Sequence, residues 1–354
     1  MEDILDLKGK IPAFPESQTK KIEAHIRDIA NRLIEHRLIF LCGAGLSSVS
    51  RAALFSELSS KLIREILGWE DNDSSKDKMI ESLRNDFSGE ALAGAYKRMK
   101  DPALLQDRLT KLFGHPDLKS NDGHKVLKHW ASEKLINRIY TTNFDTLLES
   151  ELGGQAFEVN NKNMTDMDES LAKGEIAIIH LHGSVKNGVA RDVLLDEQET
   201  YSYDTPVSYL LRADLLKNRF VFLGFSMNDM DFRAIYFKTQ ELLSKHGPEK
   251  KNYVVIKFKD DEEEKWRIAE AIWETRQAIL IPMDCVDFLE VLRNKVEDLI
   301  NHDWVEQLCK HLDVGADTIE SWVSDRIKVA PGLNKREALI AISEAEGYEF
   351  DINT

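Results

Sequence analysis

Six stretches of this chain are strongly apolar with little alternation, and each stops abruptly. They are "LIFL" (38–41), "INRIYTT" (136–142), "EIAIIHLHG" (175–183), "RFVFLGFS" (219–226), "NYVVIKF" (252–258) and "AILIPMD" (278–284). Runs of this kind, rich in Ile and Val, are strands buried on both faces. Helical stretches separate most of them, among them "PVSYLLRADLLK", "DFRAIYFKTQELLSKH" and "VDFLEVLRNKVEDLI". The alternation predicts an α/β chain with a Rossmann-like parallel sheet and helices on both faces. Residues 18–36 precede the first strand as an amphipathic helix, with Ile22, Ile26, Ile29, Ala30 and Leu33 on one side. After the first βα unit the rhythm breaks. Residues 69–130 carry helical patterns and no strand, which predicts a helical insertion.

Ligands of such sheets bind outside the carboxyl ends of the strands. The residues that follow the strands should therefore carry the chemistry. They read "CGAGLSS", "TTNFD", "HLHGS" and "GFSMND", all small or polar. Composition narrows the ligand. With 47 basic against 62 acidic residues, the net charge is −15, which excludes the chain as a whole from binding nucleic acid. No apolar run reaches the roughly 18 residues of a membrane span. The acidic start "MEDILDLKGK" lacks the apolar core of a secretory signal. Three scattered cysteines, Cys42, Cys285 and Cys309, fit a reducing compartment, so a cytoplasmic location is expected.

Each strand end has a bland reading and a chemical one. At Gly43-Ala44-Gly45 the bland reading is a strand-to-helix turn. The chemical one is close approach of backbone amides to a pyrophosphate, with a helix N-terminus adding positive charge. A dehydrogenase would continue quickly to a second strand with an acidic residue about 20 positions on. The insertion stands there instead, so hydride transfer is a poor reading. Asn143 or Asp145 is a helix cap, or Asn143 is a neutral amide holding a sugar hydroxyl or a water beside a phosphate. His180 reads as a packed core histidine. His182, at the strand exit, is placed to act as a general base. No acidic or cysteine cluster completes a metal site around the two. Gly224 permits close approach, and Ser226 offers a hydroxyl to a ribose or phosphate. Asn228 or Asp229 caps the next helix, or Asp229 or Asp231 reaches the ligand. Thr142 and Gly183 complete the expected binding set.

In this order, "GAGLS" (43–47), "YTTNFD" (140–145), "HLHGS" (180–184) and "FLGFSMNDMDFR" (222–233) resemble the sirtuin-type NAD-binding fold. Within it, the chain is similar to the sirtuin-like NAD hydrolase domains of bacterial anti-phage defence systems. The motifs span most of 38–233, and the strand–helix rhythm extends the likeness to about residue 300. The resemblance implies that Gly43, Ala44, Gly45 and Ser47 border the NAD diphosphate and nicotinamide ribose. Asn143 would hold that ribose or the attacking water, Asp145 would support its loop, and His182 would be the general base. Gly224 and Ser226 would flank the adenosine half.

Two departures disfavour protein deacylation. Deacylating sirtuins carry an acidic–aromatic–basic cluster after the glycine loop, and here Ala53-Leu54-Phe55-Ser56 keeps only the aromatic. They also usually carry four zinc cysteines after the histidine, and residues 185–204 hold none, so no zinc is expected. The implied activity is hydrolysis of NAD+ to ADP-ribose and nicotinamide, as the NAD-depleting effector of a defence system. The alternatives are an NAD-dependent deacylase and a non-catalytic NAD or ADP-ribose sensor. An ungated activity of this kind is toxic, so a homo-oligomer or a gating partner is expected. Candidates by resemblance are a HerA-type hexameric ATPase, an Argonaute-like protein or a phage component.

The organisation expected is a catalytic domain over 1–300 and a small helical module over 301–354. Helices in the module are expected at about 304–312, 316–328 and 334–346, with Trp304 and Trp322 in its core. Its cadence resembles a helix–turn–helix, but Asp317, Glu320 and Asp325 would meet phosphates on the reading helix. A protein-interaction or oligomerisation role is the expectation.

Overall fold

The structure, a computed structural model, describes residues 7–14, 16–50, 52–115, 117–186, 189–191, 193, 205–227, 229–246, 250–259, 262–330 and 333–350. Asn228 and most of 187–204 lie outside the described residues, and the side chain of Asp231 is likewise not described. The chain divides into two compact units. One is Arg37–Phe288 with the short segment Gly9–Ala13, and the other is Phe14–His36 with the segment from Leu289 onward.

The first unit is built on a seven-stranded sheet in which every described pair is parallel. Its strands are β1 (Leu38–Cys42), β2 (Arg138–Thr141), β3 (Ala156–Val159), β4 (Ile176–His180), β7 (Arg219–Leu223), β8 (Asn252–Val255) and β9 (Ala278–Ile281). Their order is β3-β4-β2-β1-β7-β8-β9. All of β1, β4 and β8 is buried, as continuous apolar runs require. β1 lies between β2 and β7, with Cys42 opposite Thr141 on one side and Leu223 on the other. The connections therefore leave β1 in opposite directions, which opens a crevice at its carboxyl end.

The strands are shorter than their apolar runs because each chain turns as soon as the sheet ends. β4 stops at His180, so His182 lies beyond the pleat and is not bound by strand alternation. Two elements were absent from the sequence reading. β3 is a short edge strand, only half-buried over most of its length. A hairpin of β5 (Ser184–Lys186) and β6 (Val189–Arg191) follows the histidine turn.

The insertion is helical as expected. Four helices lie between β1 and β2 in addition to α2 (Ala44–Ser47) and α3 (Phe55–Leu67). They are α4 (Asp77–Asp86), α5 (Gly89–Met99), α6 (Pro102–Phe113) and α7 (Asp122–Ser132). Their ends follow capping chemistry. Ser88 accepts from Ala91 N at 3.0 Å, Asp101 precedes Pro102 at N1, and Asn121 with His124 closes a capping box. Tyr96, Leu105, Leu109 and Phe113 join Leu58 and Leu62 of α3 in one apolar cluster that includes Phe144.

In the second unit, α1 (Glu16–Ile34) buries the apolar stripe read from the sequence. The expected boundary at residue 300 falls inside one unbroken helix, Cys285–Leu312. The following helices, Ala316–Val329 and Lys335–Ala345, match expectation. Trp304 is buried and stacks on Phe350 at 4.4 Å. Trp322, expected in the core, is instead 37% exposed, because Ile319 and Val323 take the buried face of its helix. Among the described residues, no helix is long and apolar enough to cross a membrane.

Candidate active site

The four strand ends meet at one cavity of about 470 Å³ in the first unit. Its size is that of a small-molecule site. Ala44, Ser47, Thr142, Asn143, Asp145, His182, Gly224, Ser226 and Asp229 all line it. Of the expected set, Gly43, Gly45 and Gly183 do not line it.

The two glycines after β1 have another task, which changes the role expected for them. A Cβ on Gly43 would stand 2.7 Å from Gly224 O, and one on Gly45 would stand 2.5 Å from Gly224 Cα. Reciprocally, a Cβ on Gly224, which has φ +59°, would meet Gly45 Cα at 2.4 Å. The loops after β1 and β7 thus cross backbone against backbone, closer than any side chain allows. Their amides are engaged there. Gly43 N donates to Leu223 O at 2.8 Å, Gly45 N to Gly224 O at 3.0 Å and Leu46 N to Gly43 O at 3.1 Å. The first two lock one loop to the other, so the amides of Gly43 and Gly45 are not an open phosphate cradle. Ala44 and Ser47 are the loop residues that face the cavity.

On the other side, side chains do the holding. Asn143 is buried, and its amide nitrogen donates to Gly43 O at 3.2 Å and to Ser47 Oγ at 3.0 Å. Both donors are thus engaged, and Oδ1 is the amide atom left to accept from a ligand. Ser47 in turn bonds the Asp145 carboxylate, which also accepts from Leu147 N at 3.2 Å. Since a carboxylate only accepts, the Ser47 hydroxyl donates to Asp145 and accepts from Asn143. The expected loop-supporting role of Asp145 therefore has a concrete path. Burial pushes the Asp145 carboxyl up, against the two hydrogen bonds that favour its anion.

His180 is the buried partner of this loop, as expected. Its Nδ1 lies 3.1 Å from Asn143 O, and its Nε2 lies 2.5 Å from Glu149 Oε1. Burial opposes the imidazolium, but the Glu149 carboxylate outweighs it and holds His180 above its ordinary value. Burial likewise opposes the Glu149 anion, and the histidine outweighs it, lowering Glu149. His182 is 18% exposed and hydrogen-bonds through Nε2 to Asp229 Oδ2. Asp229 Oδ1 also accepts from Phe232 N at 2.9 Å, so the capping role and the cavity-lining role fall to the same residue. The hairpin holds the histidine turn in place, with Val185 N donating to Phe144 O at 2.7 Å.

The wall opposite the sheet was not read from the sequence. It comes from α3 and the insertion, with Phe55 and Ser59 on one part and Arg84, Phe87, Ser88 and Glu90 on the other. A Cβ on Gly89 would collide with the Phe55 ring at 2.0 Å, so glycine is needed where α5 starts against it. The only residue of the altered cluster that the sequence comparison kept, Phe55, is thus a packing and lining aromatic. It sits 6.1 Å from Phe144, centroid to centroid.

The parallel α/β sheet thus has a cavity at its crevice, lined by an asparagine that follows one strand and a histidine that follows the next. A family model described as SIR2-like domain matches residues 137–277. It is 24% identical over 243 residues to the NAD(+) hydrolase ThsA of Bacillus cereus (strain MSX-D12), an overlap of 67% of this chain and 46% of that protein. It is 27% identical over 203 residues to the NAD(+) hydrolase ThsA of Acinetobacter baumannii (strain 532279), covering 57% of this chain and 39% of that protein. The chain thus spans less than half the length of these curated relatives. Among solved structures, one described as "Structural Basis for the Mechanism and Regulation of Sir2 Enzymes" is similar at 15% identity. It has a TM-score of 0.46 and covers 78% of this chain and 99% of its own. The resemblance read from the four strand ends is borne out.

Proposed function

We propose that this chain is an NAD+ glycohydrolase, cleaving the nicotinamide–ribose bond to give nicotinamide and ADP-ribose. The observation that carries the reading is the convergence of Asn143, His182 and the Gly224–Ser226 turn on one cavity, from three separate strand ends. The likeness to proteins named NAD(+) hydrolase supports it.

The role proposed for each residue combines its contacts with the resemblance read from the sequence. Loss of nicotinamide leaves an oxocarbenium-like ribose, and the site must hold the sugar, exclude competing nucleophiles and deliver water. Asn143 presents Oδ1 to a ribose hydroxyl or to that water without placing a second anion beside the diphosphate. His182 takes the proton as water attacks. Asp145 keeps the Ser47 hydroxyl, and through it the Asn143 amide, in a single orientation. Ala44, Ser47 and Thr142 border the diphosphate and nicotinamide ribose, and Gly224 and Ser226 the adenosine half. No zinc is needed for these steps.

In this reading the chain is the NAD-depleting effector of a cytoplasmic anti-phage system. Its activity is gated by self-assembly or by a partner, such as a hexameric ATPase or a phage component, with the C-terminal helices as the interaction module. Nicotinamide release from NAD+ tests the reaction. We expect release by the wild type, a loss of about 10²–10⁴ in His182→Ala, the range of a positioned general base, and near inactivity in Asn143→Ala. Normal turnover in both variants ends the assignment. Full activity of the isolated chain, unchanged by added partners, ends the gating.

A further inference from the structure

Resting on the reading of His182 as the base, we infer that Asp229 is its positioning residue, fixing which imidazole nitrogen carries the proton. The sequence offered Asp229 as a ligand contact or a helix cap. The geometry points to a third role. One carboxylate oxygen, Oδ2, accepts from His182 Nε2, and the other, Oδ1, accepts from Phe232 N at 2.9 Å. Phe232 N lies at the start of the helix Met230–His246, where backbone donors have no intrahelical partner. The carboxylate is therefore anchored by the helix on one oxygen and presents the other to the ring.

A carboxylate accepts and does not donate, so the proton in this bond belongs to Nε2. In the neutral imidazole the lone pair then resides on Nδ1, and Nδ1 is the nitrogen that takes the proton from water. The imidazolium that forms is stabilised by the same carboxylate. The turn before Asp229 holds two residues in the left-handed region. It runs from Gly224 at φ +59° through Met227, a buried non-glycine residue at φ +57°. A helix cap alone needs neither a histidine partner nor a place on the cavity wall, and Asp229 has both. Other charged groups lining the cavity are Asp145, Glu90 and Arg84. For Asp145 and Arg84 the described hydrogen bonds are to other groups, Leu147 N and Ser60 Oγ respectively.

Asp229→Asn tests this, because asparagine keeps the cap and removes the charge. Turnover, calorimetric Kd for NAD+ and the ¹⁵N signals of the His182 imidazole are measured in Asp229→Asn, His182→Ala and the double variant. We expect turnover to fall roughly 10–100-fold, the cost of losing a partner that orients a working histidine, with Kd within about twofold. In the His182→Ala background the same change should cost less than about twofold, since two residues acting as a unit are not additive. The wild-type ring should show the Nε2-protonated tautomer, and Asp229→Asn, whose amide offers either a donor or an acceptor, a mixture. Weaker NAD+ binding in both backgrounds makes Asp229 a ligand contact and overturns the inference, as does an unchanged tautomer. If the wild type releases no nicotinamide, the glycohydrolase reading fails, and the tautomer result alone decides the role of Asp229.

Discussion

The two sides of the crevice are held together by different means. Where β1 meets β7, backbone lies on backbone: Gly43 and Gly45 against Gly224, joined by amide–carbonyl bonds, with no side chain between them. On the side of β1 that holds β2 and then β4, side chains make the connection: the Asn143 amide to Gly43 O and Ser47, Ser47 to Asp145, and the His180–Glu149 pair behind Asn143 O. The first side defines a shape that tolerates no added atom. The second offers polar groups with defined donors and acceptors. The glycohydrolase chemistry proposed here, which grips a dinucleotide and moves a proton, draws on one of each, and the difference predicts how each side fails.

The largest effect belongs to the backbone side. Gly224→Ala forces a Cβ into Gly45 at a left-handed φ, which should cost roughly 2–5 kcal/mol from the backbone and overpacking terms together. We expect a lower midpoint in denaturant melts and loss of NAD+ binding with it. An alanine variant of unchanged stability would mean that the loops are free to part. The side-chain side should break in the opposite sense. His182→Ala should lower stability by no more than about 1.5–3 kcal/mol, the value of one hydrogen bond to a charged group, while turnover collapses. A larger loss of stability would make His182 a structural residue.

The pH response should be intermediate in size and confined to the side-chain side. His180 is raised, so its contribution is fully present below its unfolded value near 6.5 and is lost as pH rises through the folded value. Glu149 is lowered, so its contribution is present above its unfolded value near 4.3 and is lost as pH falls through the folded one. The pair therefore stabilises most between about pH 4.3 and 6.5. Glu149→Gln should flatten the stability–pH curve on both flanks of that window, and an unchanged curve would remove the ion pair from the account. The smallest effect is expected at Ser226→Ala. Ser226 is exposed on the cavity rim, so stability should hold and KM for NAD+ should rise by about the value of one hydrogen bond, 0.5–1.5 kcal/mol. A loss of turnover at constant KM would give this serine a different role.

The main strands and the insertion were legible because long apolar runs and capped helices announce themselves locally. The edge strand Ala156–Val159 and the hairpin after His182 were not, since neither lies in a long apolar run and both exist only through their neighbours. A boundary near residue 300 has no local mark in the structure, since the helix Cys285–Leu312 runs through it without a break. Asn143, Asp145 and His182 were found because they end strands, and in a parallel sheet every strand ends at the same face. Arg84, Phe87 and Glu90 were missed for the opposite reason. They lie in an insertion whose local pattern says helix and nothing about which surface it covers.

Sequence alone determined that this chain builds a parallel sheet, that four polar turns crown it, and that these turns carry glycine at 43, 45 and 224. These are matters of periodicity and backbone freedom, which a residue carries wherever it is placed. Only the tertiary structure decided what those glycines face, which carboxylate meets which histidine, and which helix closes the cavity. Such pairings join residues tens to more than a hundred positions apart, and they are set by packing that no local pattern records.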